Sequence, residues 1–291
     1  MTVKRARCLG FCMGVRRAVA LAYKEIEDAK ASGFPVYTYG ALIHNPEVLK
    51  DLKNKGVETL DGLPYTSDCS VIIRAHGISP VIEKELRGAG CCIIDATCPK
   101  VKESQLKTQE LLQAGFCLFL AGEAKHPEIE GIAGYAKQIC RKHSGAFSVV
   151  SNENEAQKAA ELLLKKRSKA KTALLGQTTI SEEEYRCIGD VIKKYFPNLE
   201  IVDTICGATS ERQQALRELL PEVDAVIVAG GKDSSNTRRL LAIADSSGKP
   251  CALIEEAEEI PKNFFLFKTV GLCAGASTDD CAVEKIENAL K

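Results

Sequence analysis

The chain has 291 residues, 45% of them hydrophobic and 27% charged, so it has ample material for buried cores and a length that suggests two domains, with one or three also open. Lys plus Arg and Asp plus Glu each total 39, so no global basic field favours nucleic acid or an anionic membrane surface. No stretch approaches the roughly 18 to 20 apolar residues of a membrane span, and the N-terminus MTVKRARCLGFCMGVRRAV is broken by charges before a secretory h-region forms. These features predict a cytoplasmic protein. Its 13 cysteines, an odd number without an export signal, then read as thiols, metal ligands or small buried hydrophobes rather than a disulfide framework.

In chain order, the first candidate helix is VRRAVALAYKEIEDA (15–29), directly after the segment CLGFC. VIIRAHG (71–77) follows as a short apolar run closed by a polar loop, and CIID then leads into the amphipathic KVKESQLKTQELLQA (100–114). CLFLAGEAKH (117–126) and TALLGQTT (172–179) repeat the apolar-run-and-loop form around the helix NEAQKAAELLLKK (154–166). EEEYRCIGDVIKKY (182–195) and SERQQALRELL (210–220) are the next amphipathic stretches, followed by AVIVAGGKDSSN (225–236) and TVGLCAGAST (269–278). Apolar runs alternating with stretches of helical spacing predict an α/β protein with parallel sheets. Ligands then bind beyond the carboxyl ends of the strands, where the polar loops lie.

An internal repeat sharpens this reading. CIIDATCPKVKES (92–104) and EIVDTICGATSER (200–212) share an apolar strand, an Asp, a Cys three residues later and a helix start. Cys12 supplies a third cysteine directly before a helix. Cys12, Cys98 and Cys206 therefore mark three similar α/β modules around a shared centre: 14–97, 98–205 and 206–291, with residues 1–13 packing beside the last.

A helix N-terminus offers positive potential and unpaired N–H groups, which favour a thiolate and prepare a cysteine for metal binding. No CxxC occurs, and the CxxxC of Cys8 and Cys12 has no nearby His, which argues against structural zinc. Three cysteines spread over the chain fit an iron–sulfur cluster with one iron left open. The plain alternative is three buried structural thiols, the reading assigned to most of Cys69, Cys91, Cys92, Cys117, Cys140, Cys187, Cys251, Cys273 and Cys281.

Three of the four histidines, His44, His76 and His126, stand in the predicted loops, whereas His143 has no such setting and receives no role. The segment from Gly230 to Thr237 can form an anion cradle at a helix N-terminus, and Gly275-Ala276-Ser277-Thr278 has the same placement. Simple helix capping is the alternative for both. With His44 and His76, these donors suit a diphosphate. Glu128 is a candidate proton source beside a metal-bound alcohol, or a helix-dipole partner, and Thr178 offers a hydroxyl at another strand end.

The segments GFCMGVRRAV, GALIHNPEV, RAHGISP, DATCPKV, HPEIEG, GQTT, DTICGATSERQ, GGKDSSNT and GAST resemble the 4-hydroxy-3-methylbut-2-enyl diphosphate reductase family (IspH/LytB) over essentially the whole chain. The resemblance implies a pseudo-threefold trefoil of three α/β modules, with mostly parallel sheets, around an oxygen-sensitive 4Fe–4S cluster held by Cys12, Cys98 and Cys206. It implies diphosphate ligands at His44, His76, Ser234, Ser235, Asn236 and Ser277, with His126 in the same cavity. Glu128 takes the place of the family's proton donor, and Thr178 that of the threonine near the substrate alcohol. The implied reaction is a two-electron reductive dehydroxylation of the allylic diphosphate to isopentenyl and dimethylallyl diphosphates, with ferredoxin or flavodoxin as electron donor to a monomer. Ile132, Asp233 and the GASTDD segment, which lacks a following Pro, depart from the family pattern. Two other readings carry different expectations: a three-cysteine iron–sulfur lyase of the quinolinate-synthase type, which consumes no net electrons, and a cluster-based sensor, which the anion cradle disfavours.

Overall fold

The computed structural model describes residues 1–64, 66–141 and 145–291, so His143 lies outside the described residues. The chain begins with β1 (Thr2–Arg5), α1 (Met13–Ser32), β2 (Val36–Tyr39), α2 (Pro46–Asn54), β3 (Glu58–Leu60), β4 (Ser70–Ile73), α3 (Pro80–Gly88) and β5 (Cys92–Asp95). Its middle third forms α4 (Pro99–Gln113), β6 (Cys117–Ala121), α5 (Pro127–Cys140), β7 (Ala146–Val150), α6 (Glu153–Lys166), β8 (Thr172–Gly176), α7 (Glu182–Lys193) and β9 (Glu200–Ile201). The rest forms α8 (Gly207–Leu219), β10 (Ala225–Ala229), α9 (Ser235–Ser246), β11 (Cys251–Ile254), β12 (Thr269–Ala274) and α10 (Asp280–Leu290).

The strands form three four-stranded sheets with the orders β3-β2-β4-β5, β7-β6-β8-β9 and β11-β10-β12-β1. Every pairing among them is parallel, which bears out the α/β class. Counted within its own sheet, each has the order second, first, third, fourth, once β1 is given the fourth place in the last sheet. That strand reaches its place by pairing Thr2 with Thr269 and Arg5 with Leu272.

Central strands of parallel sheets are covered on both faces, so they read as continuous apolar runs. In β6, Phe119 and Ala121 join Leu174, Tyr185 and Ile188 on one face. Leu118 and Leu120 alternate to the other, with Ala173, Leu175 and Ile132. In β10, Ala225, Ile227 and Ala229 pack with Val270 and Leu272, while Val226 and Val228 face Leu216, Leu219 and Leu240 of α8 and α9.

Helix starts follow local chemistry. Ser181 and Glu184 make a reciprocal capping box at α7, and Ser79, Asn152 and Asp279 cap α3, α6 and α10, each worth about 1 kcal/mol. The chain divides into two compact units, one of Met1–Arg16, Ile43–Asp51 and Cys206–Lys291, the other of Arg17–Leu42 and Leu52–Ile205. The first contains the β11-β10-β12-β1 sheet and the second contains the other two. Among the described residues, no helix is long and apolar enough to cross a membrane.

Candidate active site

In every sheet the first, third and fourth strands run through a turn into a helix. All twelve candidate residues lie in those turns or in the first helical turn that follows. After the first strands come His44, the pair His126 and Glu128, and Ser234 to Asn236. The third strands are followed by His76, Thr178 and Ser277. The fourth strands are followed by Cys98, Cys206 and, after β1, Cys12. One structural position thus carries a cysteine in every sheet, and the other two carry hydrogen-bonding side chains.

In the unit Arg17–Leu42 and Leu52–Ile205, β6 and β8 lie side by side, which brings their turns together. Glu128 is 1% exposed, and both its carboxylate oxygens are occupied by one residue. Oε1 accepts the Thr178 backbone N–H at 2.6 Å, and Oε2 accepts the Thr178 hydroxyl at 2.8 Å. Gln177 ties the same two turns, accepting the Glu123 N–H through Oε1 at 3.0 Å and donating through Nε2 to Thr179 Oγ1 at 2.8 Å. His126 is the N-cap of α5. Its Nδ1 accepts the Glu128 N–H at 3.2 Å, which assigns the ring proton of the neutral form to Nε2. The His76 ring stands edge-on to it, with centroids 5.3 Å apart.

Cys98 is the N-cap of α4 and makes no side-chain capping bond. Its N–H donates to Ala75 O at 2.9 Å, which fixes the cysteine turn to the turn that bears His76. Asp95 organises this turn. Oδ1 accepts the Thr97 N–H at 3.0 Å, Oδ2 meets Lys102 Nζ at 2.9 Å, and Arg17 donates to the carbonyls of Asp95 and Thr97. Burial raises the Asp95 carboxyl, but the bonds from Thr97 and Lys102 outweigh it and hold the group below the usual carboxylate range.

In the other unit, the His44 turn is bolted to its neighbours. His44 O accepts the Ser277 hydroxyl at 2.9 Å, and Asn45 Nδ2 donates to Ser277 O at 2.7 Å. A Cβ at Gly231 would stand 2.6 Å from His44 O, so only glycine allows the GGKDSSN turn this close. Ser234 caps α9 by accepting the Thr237 N–H at 3.3 Å. Ser234, Ser235 and Asn236 are buried, whereas Asp233 is exposed. Asn236 is 3% exposed, yet neither Nδ2 nor Oδ1 has a partner among the described residues. Cys12 N–H donates to Ala276 O at 3.0 Å, beside Ser277, the same arrangement that Cys98 has beside His76. Cys206, like Cys98, caps its helix without a side-chain bond.

A family model described as LytB protein matches residues 3–291. The chain belongs to the LytB family. A Treponema denticola protein named 4-hydroxy-3-methylbut-2-enyl diphosphate reductase is 42% identical to this LytB chain over 295 residues, covering 100% of this chain and 99% of that one. One of the same name from Aquifex aeolicus is 37% identical over 283 residues, covering 97% and 93%. A solved structure of (E)-4-hydroxy-3-methyl-but-2-enyl diphosphate reductase, the terminal enzyme of the non-mevalonate pathway, is 38% identical with a TM-score of 0.70, covering 100% of this chain and 99% of that one. The E-1-hydroxy-2-methyl-but-2-enyl-4-diphosphate reductase of Plasmodium falciparum is 26% identical with a TM-score of 0.87, covering 99% and 87%.

Several cysteines of this LytB protein are plain core thiols. Burial pushes Cys273 up to about 12, and burial with a hydrogen bond to Cys91 pushes Cys69 to about 11. Ile132 is 1% exposed and fills the core beneath α5. Asn45 escaped the sequence reading, although Asn before Pro is a helix-start signal; it accepts the Val48 N–H at 2.9 Å while holding Ser277.

The depressed Asp95 carboxyl has a consequence for stability. Its contribution is present above the unfolded carboxylate range near about 4 and is lost as pH falls through the lower folded value. Asp95→Asn is expected to lower Tm at neutral pH and to converge with the parent protein once the pH has fallen through the folded value, read by thermal unfolding across pH. A gap that stays constant with pH would assign the loss to packing instead.

Proposed function

We infer that this chain is a 4-hydroxy-3-methylbut-2-enyl diphosphate reductase, which takes two electrons and two protons, releases the allylic hydroxyl as water and yields isopentenyl and dimethylallyl diphosphates. The observation that carries this reading is the cysteine after the fourth strand of every sheet, accompanied by hydrogen-bonding side chains after the first and third. Three cysteines outside any disulfide at helix starts, with no fourth at an equivalent place, suit a 4Fe–4S cluster that would leave one iron without a protein ligand. Cys12, Cys98 and Cys206 would hold it. When bound, such a cluster supplies electrons and a Lewis-acidic iron for the departing hydroxyl.

The chain's own residues do the rest. His44, His76, Ser234, Ser235, Asn236 and Ser277 bind the diphosphate, with the dipole of α9 adding favourable potential for an anion. Glu128 holds the proton to be delivered, and Thr178 fixes the carboxyl plane by gripping both oxygens. His126 offers its Nε2–H in the same region. Ferredoxin or flavodoxin supplies electrons to a cytoplasmic monomer.

The unpartnered Asn236 amide is a buried polar group waiting for a polar ligand, and such a group destabilises the free protein. Asn236→Leu, similar in volume, is therefore expected to keep or raise Tm while raising KM for the diphosphate roughly tenfold or more. A lowered Tm with unchanged KM would remove Asn236 from the cradle.

The test of the whole reading is anaerobic purification, iron and sulfide analysis, and a Mössbauer spectrum with and without 4-hydroxy-3-methylbut-2-enyl diphosphate. About four irons per chain, one of them shifted by substrate, is the expected result. Stoichiometric zinc, or no metal, would overturn it.

A further inference from the structure

We propose that Arg212 is a positioning residue of the cysteine site, clamping the Cys12 and Cys206 turns together and supplying the buried positive charge that favours the reduced state of the group they hold. The proposal rests on the reading of Cys12 and Cys206 as cluster ligands. Arg212 lies on α8 and is 4% exposed. Its guanidinium donates through Nη2 to Gly10 O at 2.7 Å and through Nη1 to Ala208 O at 2.9 Å. Gly10 is two residues before Cys12 and Ala208 two residues after Cys206, so one planar fork joins the segments that carry both thiols. Helical side chains lean toward the N-terminus, which directs this one to the Cys206 end of α8.

The charge is the unusual part. Both bonds run to neutral carbonyls, Nε has no partner, and no hydrogen bond or ion pair joins Arg212 to a carboxylate among the described residues. A buried cation of this kind is costly unless an anion lies close. The fold does not require it. Six residues beyond the cysteine, where α8 has Arg212, α1 has Ala18 and α4 has Ser104, both buried, and Ser104 merely bonds its own helix at Lys100 O, 3.2 Å away. The three repeats act as an internal control, and two of them pack the same position without a charge. What distinguishes the third is that its side chain reaches a second cysteine segment, Cys8 to Cys12. A thiolate-ligated cluster is anionic, and reduction adds a further negative charge, so a nearby buried cation stabilises the reduced form.

The parent protein, Arg212→Lys and Arg212→Met are to be purified anaerobically and compared in iron and sulfide content, cluster reduction midpoint by EPR-monitored titration, and rate of cluster loss in air. The methionine variant is expected to bind a cluster with a more negative midpoint and to lose it severalfold faster. Lysine keeps the charge but not the fork, so it should restore the midpoint while still losing the cluster faster than the parent. A methionine variant with the parent's midpoint and lifetime overturns the proposal. If that variant does not fold, a lysine variant with the parent's cluster lifetime overturns the clamp. A parent protein that carries no iron–sulfur cluster at all instead overturns the underlying reading, before any variant is compared.

Discussion

Glu128→Gln is expected to lose most turnover while retaining the fold, the iron content and the affinity for the allylic diphosphate. The carboxylate accepts two hydrogen bonds from Thr178, one from the backbone N–H at 2.6 Å and one from the hydroxyl at 2.8 Å. A glutamine keeps the first through Oε1, and the Thr178 hydroxyl, free to rotate, can turn from donor to acceptor for Nε2. The side chain therefore stays in place, with its Thr178 contacts preserved in number. What it loses is the proton. An amide cannot act as general acid at neutral pH, and removal of such a group costs about a hundred- to ten-thousandfold in rate. The check is turnover with a chemical one-electron reductant, alongside iron, sulfide and substrate titrations on the same preparation. Glu128→Asp makes the complementary test, because it keeps the acid but draws it one methylene away from both Thr178 donors. A fully active glutamine variant would discard the proton-donor role, and one that loses its iron would make Glu128 a structural residue.

The site was more legible in the sequence than the frame that carries it. Cys98 and Cys206 announced themselves because each follows an apolar strand and an Asp at the same interval, and the structure gives both the same N-cap position. That shared Asp is not one device, however. Asp95 finds Lys102 seven residues on, whereas the residue seven beyond Asp203 is Ser210 and Asp203 is exposed. The least legible elements were β1 and β3. TVKR and ETL are short and mostly polar, and their strand state comes from neighbours elsewhere along the chain. For β1 that neighbour is β12, with Thr2 opposite Thr269. Without β1 the third sheet has no fourth strand, so in the sequence Cys12 is tied to the other two cysteines by its helix start alone and not by a preceding strand and Asp. Arg212 did leave a signal. It precedes Ala215, Leu216 and Leu219 by three, four and seven residues, which places it on the apolar face of α8.

The equivalence of the three cysteines makes a prediction that separates ligands from bystanders. Cys12→Ala, Cys98→Ala and Cys206→Ala are each expected to lose most bound iron and nearly all turnover, whereas Cys8→Ala, Cys92→Ala and Cys281→Ala keep both. The contrast is not one of burial, because Cys8 is half-buried like the candidate ligands while Cys92 and Cys281 are exposed. It is one of position. Cys8 lies only four residues before Cys12, but its thiol turns to Glu211, 3.9 Å away, and it stands outside the helix-start position that the other three share. Loss of iron from the first group is not a symptom of unfolding. Cys98 and Cys206 make no side-chain capping bond, so alanine there removes no cap from the helix, and Cys12→Ala removes one long bond, from the Val15 N–H to Sγ at 3.5 Å. Their backbone anchors, such as Cys98 N–H to Ala75 O, survive the substitution. Circular dichroism and thermal unfolding of the metal-free proteins should therefore coincide with the parent, within about 1 kcal/mol, while iron analysis separates the two groups. If Cys98→Ala keeps full iron, the repeat at the fourth strand is a feature of the fold alone and the assignment of the site falls with it.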